Sequence, residues 1–128
     1  DPRGQDMKDR VNAVKRREVV RPFAPVGLEG HADRYFETVT AASPYMQFTV
    51  RCKEPEELAA VIHVDGTSRG QTITKAQNPN LHALIEAFYH ETGCPVLLNT
   101  SMNIKGEPLV NSWEDALRFQ AVTGVEVF

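Results

Sequence analysis

The chain has 128 residues, a length that suits one domain with a single hydrophobic core. Its formal net charge of -3 excludes a global attraction to nucleic acid or to anionic membranes, so any anion site must be local. No apolar run approaches the roughly 18 residues of a membrane-spanning helix, which predicts a soluble domain without a membrane partner. Cys52 and Cys94 lack metal-type spacing and are predicted to be free thiols of a cytoplasmic protein.

The amino-terminal half is predicted to combine one short helix with β-rich segments. The helix runs from Asp6, its expected cap, to about Val14, with Met7, Val11 and Val14 on one face. The prolines of RPFAPVGL predict an extended, partly irregular segment. SPYMQFTVRC is β-rich, and AAVIHVDGTSRGQTIT predicts two strands around a glycine-containing turn.

The clearest predicted element is a helix in NPNLHALIEAFYHETG. Asn78 is a suitable N-cap, Pro79 occupies the first helical position, and Gly93 can close the end. Its apolar stripe has the spacing i, i+3, i+4, i+7 and consists of Leu81, Leu84, Ile85 and Phe88.

Three further elements are predicted after this helix. PVLLN indicates a buried, central strand, SWEDALRFQAVTG an amphipathic helix, and VEVF a last strand. Ser112 and Asp115 form a variant capping box, and Gly124 ends the second helix. Alternating strands and helices predict an α/β domain with helices flanking a sheet.

Basic side chains are concentrated in NAVKRREVVRPFAP, at Lys15, Arg16, Arg17 and Arg21. Lys15 and Arg17 point the same way if this segment is extended, because side chains repeat every second residue. Two converging cations can hold a phosphate or a polyphosphate. The alternative is a solvated basic rim beside acidic neighbours.

HVDGTSRG places Asp65 and Arg69 on either side of a turn. Its structural interpretation is a hairpin in which the Asp and Thr side chains bond the backbone. His63 is expected to be a structural residue of an apolar strand, and the sequence predicts no metal site.

Polar side chains follow the apolar run of LLNTSMN, at Asn99, Thr100, Ser101 and Asn103. Hydroxyls and amides after a strand suit the orientation of an amide-like group or of phosphate oxygens, although a polar turn is the simpler interpretation. The chain has no G-x-S-x-G elbow, no Walker A loop and no G-x-G-x-x-G motif. Any ATP site must therefore be built in another way.

Three stretches together resemble the carboxyl-terminal domain of the nodulation- and antibiotic-type O-carbamoyltransferases. They are NAVKRREVVRPFAP, HVDGTSRGQTI and GCPVLLNTSMNIKGEPLVNSWEDAL, and the resemblance covers nearly the whole chain. It implies that residues 1–128 form a YrdC-like α/β domain, with an open twisted mixed sheet and flanking helices. It also implies a fragment of a larger two-domain enzyme, whose actin/sugar-kinase-like amino-terminal domain is absent here. The chain opens without an initiator Met, which agrees with this expectation.

The resemblance also implies a reaction. Such domains use carbamoyl phosphate and ATP, expected as the Mg²⁺ complex, to form carbamoyl adenylate and pyrophosphate. The carbamoyl group then passes to an acceptor hydroxyl in the amino-terminal domain, where iron is expected. The acceptor is not readable from this chain, and the isolated domain is expected to bind its ligands weakly or to be inactive alone.

Residue roles follow from the motifs of the resemblance. Lys15 and Arg17 match its K-x-R pattern, and Ser101 and Asn103 match its S-x-N pattern. Lys15, Arg17 and Ser101 are the expected catalytic residues. The residues expected to bind ATP and carbamoyl phosphate are Lys15, Arg17, Arg21, Arg69, Asn99, Thr100, Ser101 and Asn103. The alternative function is a YrdC-like module that binds nucleotide or double-stranded RNA without catalysis.

Overall fold

The structure is a computed structural model that describes residues 1–18, 23–37 and 42–128. In these ranges the helices are α1 (Met7–Val14), α2 (Ala32–Tyr35), α3 (Pro79–Thr92) and α4 (Trp113–Thr123). The strands are β1 (Ala24–Leu28), β2 (Phe36–Glu37), β3 (Val50–Cys52), β4 (Thr67–Ser68), β5 (Gln71–Ile73) and β6 (Val96–Asn99). Short 3-10 turns occupy Glu29–His31 and Ala59–Val61.

The strands form two small open sheets, and the first of them sets the position of the site. Its strand order is β5-β1-β6, with β1 parallel to β5 and antiparallel to β6. Ala24 lies opposite Asn99, and Val26 lies opposite Gln71. The beginnings of β1 and β5 and the end of β6 therefore lie at the same end of the strands. We call this end the sheet edge. The second sheet is antiparallel, with the order β2-β3-β4.

The apolar side chains divide into two core clusters. One is built around fully buried Leu58 and Val61 and includes Tyr35, which is 1% exposed. The other joins Ile85 of α3 to the strand residues Val26, Leu28 and Ile73. One open mixed sheet and one antiparallel sheet, together with the helices, confirm the predicted α/β class.

Local capping signals define the two long helices as predicted. The side chain of Asn78 accepts a hydrogen bond from the Leu81 N–H at 3.0 Å, and Pro79 is the first residue of α3. Ser112 and Asp115 form the predicted capping box of α4. Both helices end at a glycine in the left-handed region, with φ of 72° at Gly93 and at Gly124. These ends are confirmed.

Some details of the predicted helices are wrong. Asp6 precedes α1, but its side chain makes no capping hydrogen bond. It lies 3.9 Å from Arg10 in an exposed ion pair instead. Leu84 is 58% exposed rather than part of the buried stripe, because only Leu81, Ile85 and Phe88 of that set pack on the core.

The predicted strands need larger corrections. AAVIHV holds a 3-10 turn rather than a strand, and β4 and β5 belong to different sheets, so no hairpin forms around DGTSRG. Only the last three residues of SPYMQFTVRC form β3, and the VEVF segment is irregular. β6 lies at the outside of its sheet in the described part of the chain, and Leu97 and Leu98 are half-buried. These differences arise because pairing partners distant in sequence decide where a strand forms.

Both cysteines are free, as predicted, and the structure shows that both are buried. Burial raises the pKa of the Cys52 thiol and of the Cys94 thiol. No helix among the described residues is both long and apolar enough to span a bilayer.

Candidate functional site

The edge of the first sheet brings together two segments that are far apart in sequence. The end of α1 and the turn after it precede β1, whereas the NTSMN loop follows β6. Because β1 and β6 are antiparallel, with Ala24 opposite Asn99, these two segments meet at the same sheet edge. The backbone fixes the contact directly, since the Lys105 N–H donates to the Lys15 carbonyl at 3.0 Å.

The α1 helix ends in a chain reversal that aims two cations at the loop. Arg16 adopts a left-handed backbone conformation, with φ of 53°. Its N–H donates to the Ala13 carbonyl at 3.1 Å, and the Arg17 N–H donates to the Asn12 carbonyl at 2.9 Å. This pair of hydrogen bonds is the Schellman arrangement of a helix end, here with arginine where glycine is usual.

Lys15 is buried in the contact between the two segments. Only 1% of its surface is exposed. Its ammonium donates to the backbone carbonyl of Ser101, to the Ser101 hydroxyl at 3.1 Å and to Asn103 Oδ1 at 3.2 Å. The lysine therefore holds the loop against the end of α1.

Arg17 reaches the same two side chains from a more accessible position. Its Nη2 donates to the Ser101 hydroxyl at 3.0 Å and to Asn103 Oδ1 at 3.2 Å. Arg17 is half-buried, and Ser101 is exposed. Two positive charges thus converge on two neutral oxygens at a surface that solvent reaches.

Asn103 is fixed in orientation by hydrogen bonds on both sides of its amide. Its Oδ1 also accepts from the Ser101 hydroxyl at 2.7 Å, and its Nδ2 donates to the Glu107 carbonyl at 3.0 Å. The amide oxygen therefore faces the cations. We call Lys15, Arg17, Ser101 and Asn103 the cation cluster.

The other predicted site residues lie outside the cation cluster. Arg69 is exposed at the same sheet edge, two residues before β5, and no hydrogen bond or ion pair joins it to the cluster in the part of the chain that is described. Asn99 donates to Gln71 Oε1 at 2.8 Å, and Thr100 is exposed. Arg21 lies outside the described residues.

In the DGTSRG segment the Asp65 side chain bonds the backbone as the structural interpretation predicted, but the hairpin of that interpretation does not form and the Thr67 hydroxyl bonds Asp65 rather than the backbone. Asp65 accepts from the Thr67 N–H at 2.9 Å and from its hydroxyl at 2.6 Å. These hydrogen bonds lower the pKa of the Asp65 carboxyl. The Thr67 hydroxyl also lies 3.4 Å from His63 Nδ1. Within residues 1–18, 23–37 and 42–128, no three His, Cys, Asp or Glu side chains gather as metal ligands.

A cavity of about 660 Å³ begins beside the cation cluster. Its polar lining consists of Lys15, Thr100 and Ser101 beside the cluster, together with Arg10 and Glu126. The remaining wall is largely apolar and comes from α1, β6, α4 and the carboxyl-terminal residues, including Val11, Leu98, Met102, Trp113 and Phe119. This size and lining fall in the range of small-molecule sites.

Two participants in this arrangement were not identified from the sequence. In the sequence Arg16 is one basic residue among several, and Gln71 belongs to no recognisable motif. Gln71 Oε1 accepts from Asn99 of β6, and Gln71 Nε2 donates to the Pro44 carbonyl at 2.9 Å. Gln71 therefore links β5 to β6 and to the loop that contains Pro44. No local pattern marks either role, because both depend on contacts made only in the folded chain.

Comparison with known proteins identifies relatives. Residues 1–128 match the family described as Carbamoyltransferase C-terminus. The chain is 48% identical over 122 residues to nodulation protein NolO of Bradyrhizobium diazoefficiens, which covers 91% of this chain and 22% of that protein. It is 38% identical over 125 residues to the 3'-hydroxymethylcephem-O-carbamoyltransferase of Amycolatopsis lactamdurans, covering 98% of this chain and 24% of that protein.

The chain thus spans between 22% and 24% of the length of these two relatives. The family match covers every residue, and it confirms the resemblance seen in the three sequence stretches. The chain belongs to the carbamoyltransferase C-terminus family.

Proposed function

We propose that this chain is the part of an O-carbamoyltransferase that activates the carbamoyl group, by forming carbamoyl adenylate from carbamoyl phosphate and ATP. The observation that carries the proposal is the cation cluster. Lys15 and Arg17 converge on Ser101 and Asn103 within 3.2 Å, at a sheet edge beside a cavity of about 660 Å³. A relative named as an O-carbamoyltransferase supports the transfer of a carbamoyl group to oxygen.

The proposed reaction balances with one water. Water releases inorganic phosphate from carbamoyl phosphate and leaves carbamate. A carbamate oxygen then attacks the α-phosphorus of ATP, the bond to the β-phosphate oxygen breaks, and pyrophosphate departs. Both substrates are polyanions, so the protein's main contribution is to position them and to stabilise negative charge.

The burial of the two cations suggests a division of their roles. Arg17 is half-buried and presents a planar fork of donors, which suits direct contact with phosphate oxygens. Lys15 is 1% exposed and contributes its charge from behind the loop. The exposed Ser101 hydroxyl lies between them: its oxygen accepts from both cations, and its one hydrogen is donated to Asn103 Oδ1, a partner that a phosphate or carbamoyl oxygen would replace on binding.

The largely apolar cavity offers surface for the nucleoside of ATP next to these cations. ATP is expected to enter with Mg²⁺ as part of the substrate. The described residues contain no cluster of metal ligands that suits iron, so no step of the proposal passes through iron.

The test is ATP–pyrophosphate exchange by the full-length polypeptide that carries this chain. We expect exchange that depends on carbamoyl phosphate, and at least a tenfold loss in Arg17→Ala and in Ser101→Ala. The control is Arg34→Ala, because Arg34 also donates a hydrogen bond through its Nη2, but to Glu57 at 3.3 Å, outside the cation cluster. Exchange within twofold of wild type in both cluster variants would overturn the proposal.

A parallel titration with duplex RNA tests the alternative function. RNA binding at physiological salt, without any effect of nucleotide on that binding, would favour the binding module instead. The formal net charge of -3 disfavours binding along an RNA backbone, which needs many cations.

A further inference from the structure

We propose that Arg16, the middle residue of the K-x-R pattern, is a positioning residue that acts through its backbone. Its left-handed conformation turns the chain so that Lys15 and Arg17 reach the same pair of oxygens. The identity of the ligand in this inference rests on the proposed function. The role of Arg16 in orienting Lys15 and Arg17 does not.

The two neighbours of Arg16 show why the turn matters. In a continuing α-helix, residues two apart point about 200° from each other around the axis, so the side chains of residues 15 and 17 would diverge. In the structure both donate to Ser101 Oγ, at 3.1 Å from Lys15 and 3.0 Å from Arg17. Both also donate to Asn103 Oδ1. The reversal at Arg16, with φ of 53°, is the feature that separates this arrangement from a continuing helix.

The side chain of Arg16 is exposed, so the inference concerns its backbone. A left-handed conformation is unfavourable for any residue with a Cβ, and most of all for a β-branched one. The surrounding contacts hold it in place. The Arg17 N–H donates to the Asn12 carbonyl, and the Lys15 carbonyl accepts from the Lys105 N–H. Strain maintained by such contacts is typical of functional sites.

The test compares three variants of the full-length polypeptide, Arg16→Gly, Arg16→Asn and Arg16→Val. All three remove the same charge, but glycine and asparagine accept the left-handed region and valine does not. The first measurement is the dissociation constant for MgATP. We expect the Gly and Asn variants to stay within about threefold of wild type, and the Val variant to bind at least about tenfold more weakly.

The second measurement is amide hydrogen exchange at Lys105, whose N–H donates to the Lys15 carbonyl only if the loop contacts the reversed end of α1. We expect protection in the Gly and Asn variants, and at least about tenfold faster exchange in the Val variant. A urea unfolding curve checks that the Val variant is folded, and Arg16→Ala replaces it if it is not.

Two results would overturn the inference. One is a Val variant that exchanges and binds as the Gly variant does. The other is a Gly variant that binds as weakly as the Val variant, which would assign the effect to the lost charge. If wild type itself does not bind MgATP, the proposed function fails, and the exchange pattern alone decides the role of Arg16.

Discussion

Replacing Asn103 with aspartate exchanges one amide nitrogen for an oxygen and adds a negative charge where two cations meet. If Lys15 and Arg17 serve to bind phosphate, a neutral acceptor at position 103 is essential, because it gathers the cations without neutralising them. Asn103→Asp should therefore weaken ligand binding much more than it changes stability.

The structure gives the magnitudes. Asn103 Oδ1 lies 3.2 Å from Lys15 Nζ and 3.2 Å from Arg17 Nη2. Because both donors are already charged, each of these hydrogen bonds contributes about 1.5–3 kcal/mol with the neutral amide, and a carboxylate acceptor adds an ion-pair attraction to it. The second carboxylate oxygen would face the Glu107 carbonyl, which in wild type accepts from Asn103 Nδ2 at 3.0 Å, so two acceptors would lose their donor. This loss and the desolvation of the carboxylate offset most of the stability gained from the ion pairs. We expect the free energy of unfolding to change by less than about 1 kcal/mol.

Binding should respond differently. A phosphate that contacts the same cations would lie about 5 Å from the new carboxylate, and two unit charges at that distance repel by about 3 kcal/mol at an effective dielectric constant of about 20. This corresponds to a loss of affinity of about a hundredfold.

The assay is MgATP titration of the full-length polypeptide, paired with urea unfolding of the same samples. Asn80→Asp is the matched control, since Asn80 is exposed in the first turn of α3 and gains the same charge outside the cation cluster. The control should bind within about twofold of wild type. Binding by Asn103→Asp within threefold of wild type would refute the reasoning, because the two cations would then serve only to hold the loop.

Four further outcomes follow from the burial and contacts of single residues. Lys15→Met should lower the free energy of unfolding by about 2–3 kcal/mol in urea, since a buried donor to the loop is lost, and a loss below about 0.5 kcal/mol would contradict the role as a loop anchor. Arg17→Ala should weaken MgATP binding by about 1.5–3 kcal/mol in titrations while changing stability by less than about 1 kcal/mol. Leu98→Ala should destabilise the domain by about 2 kcal/mol, the low end of the range for leucine, because Leu98 is half-buried; unfolding midpoints check this. Burial raises the pKa of Tyr35 to about 12, so the stability it contributes is full below the unfolded value near pH 10 and lost as pH rises through 12. Tyr35→Phe should remove that fall of about 2–3 kcal/mol, and unfolding at pH 8 and pH 11.5 in reducing buffer measures it.

The parts of the fold that could be predicted are those encoded in a few adjacent residues. Asn78 and Gly93 bracket α3, and Ser112 and Gly124 bracket α4, because a cap satisfies the backbone groups of its own helix end. The strands carry no comparable local signal. β1 is a central strand although it contains Pro25, and a β-rich stretch around Tyr45 and Phe48 leaves both side chains exposed. Strand pairing is decided by distant partners, which a single sequence does not display.

The candidate site was predicted for a partly wrong geometric reason. Lys15 and Arg17 were expected to point the same way along an extended segment, but they converge through a reversed helix end. The two side chains nevertheless converge, as predicted. An extended strand and a chain reversal can each place residues i and i+2 on the same side of the backbone. What the sequence did not contain was the position of Arg16 in the left-handed region, which arginine does not signal.

Lys15 and Arg17 differ in solvent exposure, a difference that the sequence does not show. Lys15 and Arg17 share the same two oxygens, but Lys15 is 1% exposed while Arg17 is half-buried. A ligand from solvent meets the arginine and the Ser101 hydroxyl first, and displacing the lysine from the loop would require its buried contacts to break. Under the proposed function, the K-x-R pattern combines a loop anchor, a backbone reversal and a cation that faces the ligand in three consecutive residues. Lys15→Arg should weaken the loop anchor and lower the free energy of unfolding in urea, because a planar guanidinium is too bulky for the buried site where the Lys15 ammonium contacts the Ser101 carbonyl.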